Sequence, residues 1–242
     1  MEQENVGLYL GMDISEKYTM ISLYQQHMKE PQTISTIMGS ESYQIPTALA
    51  KKKGVGQWFF GREAKVRVKS GEALGVEDLL DKARTGEEVF LEHEKYAASD
   101  LLAIFLKRVL SLAGSAQAMM PLAKLVICLD KVSVEYMELF SAIMVKLGIE
   151  TDKLLLIDRR ESFYYYALSQ GPETFLHDVV MFDYTESDMV SCRLRRNMHT
   201  TPQVINLDQK NHGKLLDQKD GEFQKIAQDV IDGQVVSAVY LI

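Results

Sequence analysis

The chain has 242 residues, 46% of them apolar and 25% charged, with only 5 Pro and 15 Gly. This composition excludes a disordered or low-complexity polypeptide and is that of a packed globular protein. A formal net charge of −7 argues against a broad basic surface for nucleic acid or anionic membrane. No apolar run is long enough to span a bilayer, and the acidic start Met1-Glu2-Gln3-Glu4 is unlike a signal peptide, so a cytoplasmic protein without an integral membrane segment is expected.

From Val6 to Ile14 apolar residues alternate (Val6, Leu8, Leu10, Met12, Ile14) with Gly7, Tyr9, Gly11 and Asp13 on the other face, which predicts a strand. The pattern breaks at Ser15-Glu16-Lys17 and resumes over Tyr18–Tyr24, so the pair reads as a hairpin. A third strand is expected over Gln32–Ile37. The stretch from Gly39 to Lys95 is polar and broken, and reads as a small inserted subdomain with a short hairpin and a helix from Arg62 to about Ser70. Its triple lysine, Lys51-Lys52-Lys53, is expected to be a solvated turn.

Regular alternation follows. A helix capped by Ser99 would carry Leu102, Phe105, Leu106, Val109 and Leu112 inward. The continuous apolar run Leu125–Leu129 marks a strand buried on both faces. A second helix starts at Ser133, turns Val134, Met137, Phe140, Met144 and Leu147 inward and ends at Gly148. A strand over Leu154–Ile157 and a helix over Glu161–Ser169 complete the series. Gly171-Pro172 is the best domain boundary, which divides the chain into 1–173 and 174–242, with the insert at about 39–95. Beyond it, strands are expected over Val179–Tyr184, Met189–Arg195 and Gln203–Leu207. A helix capped by Asp220 would then pack Phe223, Ile226, Ala227, Val230 and Ile231, and an apolar strand follows from Val235. Cys128 and Cys192 fall inside strands and read as reduced core thiols. His27, His93, His177, His199 and His212 lack metal-ligand spacing, so no zinc site is expected.

Gly11-Met12-Asp13-Ile14-Ser15-Glu16-Lys17 stands where the actin, DnaK-type chaperone and sugar-kinase superfamily carries a Gly-x-Asp-x-Gly-Thr-Thr phosphate hairpin; the Asp is retained and the second glycine and threonines are replaced. Phe182-Asp183-Tyr184-Thr185-Glu186-Ser187 resembles the second phosphate hairpin of that superfamily, again with its Asp and without its glycines. Tyr43–Ala50 followed by Phe60-Gly61-Arg62-Glu63-Ala64-Lys65 is similar to the chaperone segment ending in Gly-x-x-Ala-Lys. Asp81-Lys82-Ala83-Arg84-Thr85-Gly86 resembles the stretch that holds the chaperones' catalytic lysine, and Asp158-Arg159-Arg160-Glu161 puts an Arg where those proteins have a glutamate.

The resemblance implies an α/β, ribonuclease H-like first lobe of order βββαβαβα, the beginning of a second similar lobe, and a chain truncated before the adenosine-binding turn. It implies ATP and Mg²⁺ as ligands, with Asp13, Ser15, Lys17, Asp183, Thr185 and Ser187 toward the nucleotide. Asp13 and Asp183 would hold the metal through water, and Lys82 or Asp13 would serve in catalysis. The same aspartates also suit the ordinary task of satisfying turn N–H groups at a strand end. Two readings therefore stand: an ATP-binding module that switches partner binding or assembly, and a scaffold that keeps the fold for contacts with a protein partner or with itself. The cluster Phe163-Tyr164-Tyr165-Tyr166 is expected to pack a helix on a sheet, and Arg193, Arg195 and Arg196 to form a solvated strand end.

Overall fold

The computed structural model describes residues 7–37, 39–114, 121–184, 188–197, 204–214 and 220–242. It is mixed α/β and forms two compact units, Met1–Ser162 and Phe163–Ile242. The units part inside a helix, one helix earlier than the Gly171-Pro172 break. No described helix is long and apolar enough to cross a membrane.

In the first unit, β1 (Leu8–Ile14) and β2 (Tyr18–Tyr24) form the expected hairpin, and β3 (Gln32–Thr33) and β4 (Ile45–Pro46) both pair with β2. The third strand is thus two residues long where six were expected. The insert holds a small sheet of β5 (Leu49–Lys52), β6 (Trp58–Phe60) and, after α1 (Gly61–Lys69), β7 (Ala73–Val76). It continues through α2 (Leu79–Thr85) and a hairpin of β8 (Glu88–Leu91) and β9 (Glu94–Ala97). The chain then returns through α3 (Ala98–Gly114), β10 (Leu122–Leu129), α4 (Val134–Leu147), β11 (Leu154–Asp158) and α5 (Arg159–Ser169). The main sheet runs β11-β10-β1-β2-β3, with β1, β10 and β11 parallel and β2 antiparallel to β1.

Alternation in β1 sends Leu8, Leu10, Met12 and Ile14 into the core, where Leu102, Phe105, Leu106 and Val109 of α3 meet them as the helical spacing predicts. Ser99 lies inside α3 rather than ahead of it. Helix α4 does start behind a Ser133 cap that accepts from Tyr136 N, and it ends at Gly148 with φ +73°, a conformation that favours glycine. Its inward face is Leu139, Phe140, Ile143 and Met144, while Val134 and Met137 are exposed. At 3.6 residues per turn Val134 stands about 120° round the helix from Phe140 and Met137 about 60°, at the rim of the buried face.

Lys51 departs from the solvated-turn expectation. It is only 5% exposed, ion-paired to Glu94 and, at 3.4 Å, to Glu92, with its ammonium 5.5 Å from the Tyr96 ring centre. Lys51 joins the insert's sheet to its β8–β9 hairpin, as do the Gly54 N–H to Glu92 bond and the Trp58–Tyr96 ring contact, and its hydrogen bond to Glu94, foremost, raises its pKa.

The second unit repeats the plan in brief. After α5 come β12 (Asp178–Tyr184), β13 (Met189–Asn197), β14 (Val204–Asn211), α6 (Asp220–Ile231) and β15 (Val236–Leu241), in a sheet of order β14-β13-β12-β15. As with β1, the first strand has an antiparallel neighbour from the next strand and a parallel one from the strand after the helix. β12 is buried on both faces: Val179 and Met181 pack with Phe163, Ala167 and Cys192 on one side, and Val180 and Phe182 with Phe223, Ile226 and Val230 on the other. The aromatic cluster packs as expected in part, since Phe163 is core and lies 5.0 Å from the Tyr240 ring, while Tyr165 is exposed. The basic strand end is solvated at Arg195, as expected, yet also engaged: Arg195 grips Asp178 with two bonds of 2.7 and 2.8 Å, Arg193 donates to Val230 O, and Arg196 lies over the Phe175 ring.

Gly7 sits where β1 meets β10, and a Cβ there would lie 2.5 Å from that of Ala123. Gly7→Ala forces these strands apart and is expected to destabilise the protein by about 1–3 kcal/mol, measured as a lower midpoint in urea with an unchanged m-value.

Candidate functional site

Parallel pairing brings the carboxyl ends of β1, β10 and β11 to one edge, the usual location for ligand sites in α/β sheets. Asp13 of β1 is level with Cys128 of β10, and Leu129 with Asp158 of β11. Each strand ends on or beside an aspartate: Asp13, Asp130 and Asp158. Asp158 is committed to local structure, since its Oδ1 accepts from Glu161 N at 2.7 Å and so caps α5. The next residue, Arg159, reaches back to Asp130 Oδ1 at 2.5 Å.

Asp13 belongs to the opposite face of β1 from the core and borders a cavity of about 200 Å³ that Gly11, Ser22, Cys128, Ile157 and Ser162 also line. A Cβ on Gly11 would meet nothing within 4 Å. Burial pushes the Asp13 carboxyl above its ordinary value, Arg159 draws it partly back, and Asp130 pushes it up again. Burial, with the Asp13 charge adding to it, pushes the Cys128 thiol up to about 12, so this sulfur is a neutral thiol at pH 7 and a poor nucleophile. The cavity suits a small polar group presenting a donor to Asp13.

The hairpin tip is built from different contacts. Ser15 Oγ accepts from Tyr18 N at 3.2 Å and donates to Tyr18 O at 3.0 Å, while Ser15 N donates to the same carbonyl. Lys17 O accepts from Thr47 N at 3.1 Å, and the Thr19 and Thr47 hydroxyls meet at 2.8 Å below it. Glu16 lies beside the start of α2, with Glu77 and Asp78 lining the same hollow. Burial raises its pKa, the neighbouring backbone N–H groups of Asp81 and Leu80 lower it, and the Asp81 and Asp78 charges raise it again. Asp78, just ahead of that turn, has φ +49°, which is strained for a residue with a Cβ. Lys82 turns its Nζ to Glu77 O at 2.9 Å, within its own segment.

Asp183 is the sixth residue of the seven-residue β12, as Asp13 is of the seven-residue β1. It pairs with Val190 of β13 as Asp13 pairs with Met20 of β2, and it is 7% exposed. Thr185, Glu186 and Ser187 lie outside the described residues. Among the described residues, no group of three or more His, Cys, Asp or Glu could hold a metal ion. Each sequence-predicted aspartate thus occupies the expected strand position in its own unit, whereas Ser15, Lys17 and Lys82 engage the backbone around them. The neighbours Asp130, Arg159, Ser162 and Cys128 were not picked out as site residues. The signal for them was present, because both buried apolar runs end directly on an aspartate.

Residues 30–242 match the family described as "Family of unknown function (DUF5716) C-terminal", and the chain belongs to this family. The match takes in β3 onward and the whole second unit; the hairpin of β1 and β2 lies ahead of it. A search of curated proteins gives no match.

Because its folded pKa is raised, Asp13 favours folding fully only below the ordinary value of 3.8, and that contribution is lost as pH rises through the raised value. Asp13→Asn is therefore expected to melt higher than the unaltered protein at pH 7, with the difference shrinking as pH falls toward 3.8. Calorimetric scans across pH 3.5–7 measure it.

Proposed function

We propose that the chain is a ribonuclease H-like, actin- and DnaK-type fold that serves as a non-catalytic module for protein contacts and does not use nucleotide at its first hairpin. The repeated order of pairings supports the fold assignment: in each unit a seven-residue strand with Asp in sixth place lies between an antiparallel and a parallel neighbour. The observation that carries the functional reading is the contact of Glu16 with α2. A turn that grips a polyphosphate offers it backbone N–H groups at close range, which glycine permits and a side chain obstructs. Here the tip carries a carboxylate that faces the start of α2, and Ser15 closes the turn through Tyr18. Bringing a polyphosphate to this tip sets like charges against each other in a partly desolvated place. The residues present do not fit the group that the fold family suggests, and no step through ATP or Mg²⁺ is derived.

A second reading, nucleotide binding in a weakened form, is favoured by the matched aspartates at 13 and 183. Isothermal titration calorimetry with Mg·ATP and Mg·ADP separates the two. The non-catalytic reading expects no saturable heat and no phosphate release. Saturable binding that disappears in both Asp13→Ala and Asp183→Ala would overturn it in favour of the second.

A further inference from the structure

Helices α3 and α4 pack on one face of the main sheet. On the other face Gly11 of β1 sits between Ser22 of β2 and Val126 of β10. A Cβ at Gly7, just ahead of β1, would lie 2.5 Å from that of Ala123, whereas one at Gly11 would meet nothing within 4 Å. Close packing therefore requires the first glycine and not the second. A glycine inside a strand often marks a place where a ligand comes close, and Gly11 lines the cavity of about 200 Å³ that Asp13 borders.

The walls of this cavity all belong to the first unit, and they sort by chemistry. Two residues along β1 from Gly11, Asp13 stands between Met20 and Cys128. Ser22 and Thr33 join their hydroxyls at 3.0 Å, which uses one hydrogen and leaves lone pairs for a guest. Ser162, in the first turn of α5, adds a third hydroxyl. The described residues that line the cavity include no Lys, Arg or His. Arg159, whose charge reaches Asp13, is paired with Asp130 at 2.5 Å. Among the described residues none donates a hydrogen bond to the Asp13 carboxylate. A guest therefore meets one negative charge, a set of oxygen acceptors, and an apolar wall of Met20, Val126 and Ile157.

The geometry points to this cavity as a binding site for a small alkylammonium group, with its N–H donors toward Asp13 and the three hydroxyls and its stem along the apolar wall. An ammonium has three donors and no acceptor, so acceptors are all that it needs from its surroundings. An anion would meet like charge at Asp13. Among the described residues no group of three or more His, Cys, Asp or Glu could hold a metal ion. The volume is below the roughly 300–1,000 Å³ of sites that enclose drug-sized ligands, which leaves room for a head group of a few heavy atoms and not for a nucleotide. Such a head group arrives on a free amine or on the lysine side chain of a partner, and its chemistry is the same in both. The inference goes beyond the reading of the chain as a module for protein contacts and does not depend on it.

Titration of the intact chain with propylammonium chloride, free of nucleotide and Mg²⁺ and followed by amide NMR, tests the site at about pH 8, where alkylamines are protonated as lysine is. Saturable movement of the Gly11, Asp13 and Cys128 amide resonances is expected at millimolar amine. Much smaller movement is expected with 1-propanol, which lacks the charge, and with tetramethylammonium, which lacks N–H donors. Asp13→Asn removes the charge and is expected to weaken binding at least about tenfold. Gly11→Val fills the cavity and is expected to abolish saturation with unchanged circular dichroism, since nothing lies within 4 Å of the added Cβ and valine suits a strand. If Gly11→Val fails to fold, Asp13→Asn decides. Nα-acetyl-lysine N-methylamide binding as tightly as propylammonium assigns the head group to a partner's lysine, and binding of propylammonium alone assigns it to a free amine. Shifts that never saturate, equal shifts with 1-propanol, or saturation unaffected by Asp13→Asn overturn the inference.

Discussion

Strand β1 has no free edge. β2 takes its hydrogen-bonding groups on one side and β10 on the other, and its four alternate apolar side chains are buried under α3 and α4. A strand held in three directions cannot slip by one residue, because a slip would send Leu8, Leu10, Met12 and Ile14 to the opposite face. Gly7 allows the close approach to Ala123 that starts this parallel pairing. The position of Asp13 beside Cys128 follows from that lock, and so does the cavity on the far face. The carboxylate is held there by the register of the whole sheet and not by hydrogen bonds of its own making.

The insert alters what the hairpin tip can do. Thr47 reaches the tip through Lys17 O and Thr19, and the start of α2 lies beside Glu16. The turn is occupied by contacts within the unit. The insert is held in part by the buried Lys51, which pairs with the more exposed Glu92 and Glu94 while Tyr96 lies against the ammonium. A lysine so enclosed must be paired, because an ammonium taken out of water without partners is strongly disfavoured. The cluster therefore specifies how the β8–β9 hairpin meets the small sheet.

The two units differ in how they finish the same plan. In the first, β10 is an interior strand and its outer neighbour is supplied by β11. In the second, β15 follows α6 and pairs with β12 as β10 pairs with β1.

Local chemistry alone determined a good deal of this protein. The two-residue alternation of β1, the apolar run of β10, the stripe of α6 and the glycine that closes α4 act within a few residues of themselves, so they were legible in the sequence, as was the strand position of each aspartate. The α2 helix, the β8–β9 hairpin and the burial of Lys51 were not, and the inward face of α4 was legible only at Phe140, Met144 and Leu147, because short elements and enclosed charges depend on partners distant along the chain. Which aspartate would cap a helix, which would pair with Arg159 and which would border a cavity was likewise decided by tertiary structure. An aspartate at a strand end reads the same in all three cases, and only the side chains brought against it by folding set its charge and its role.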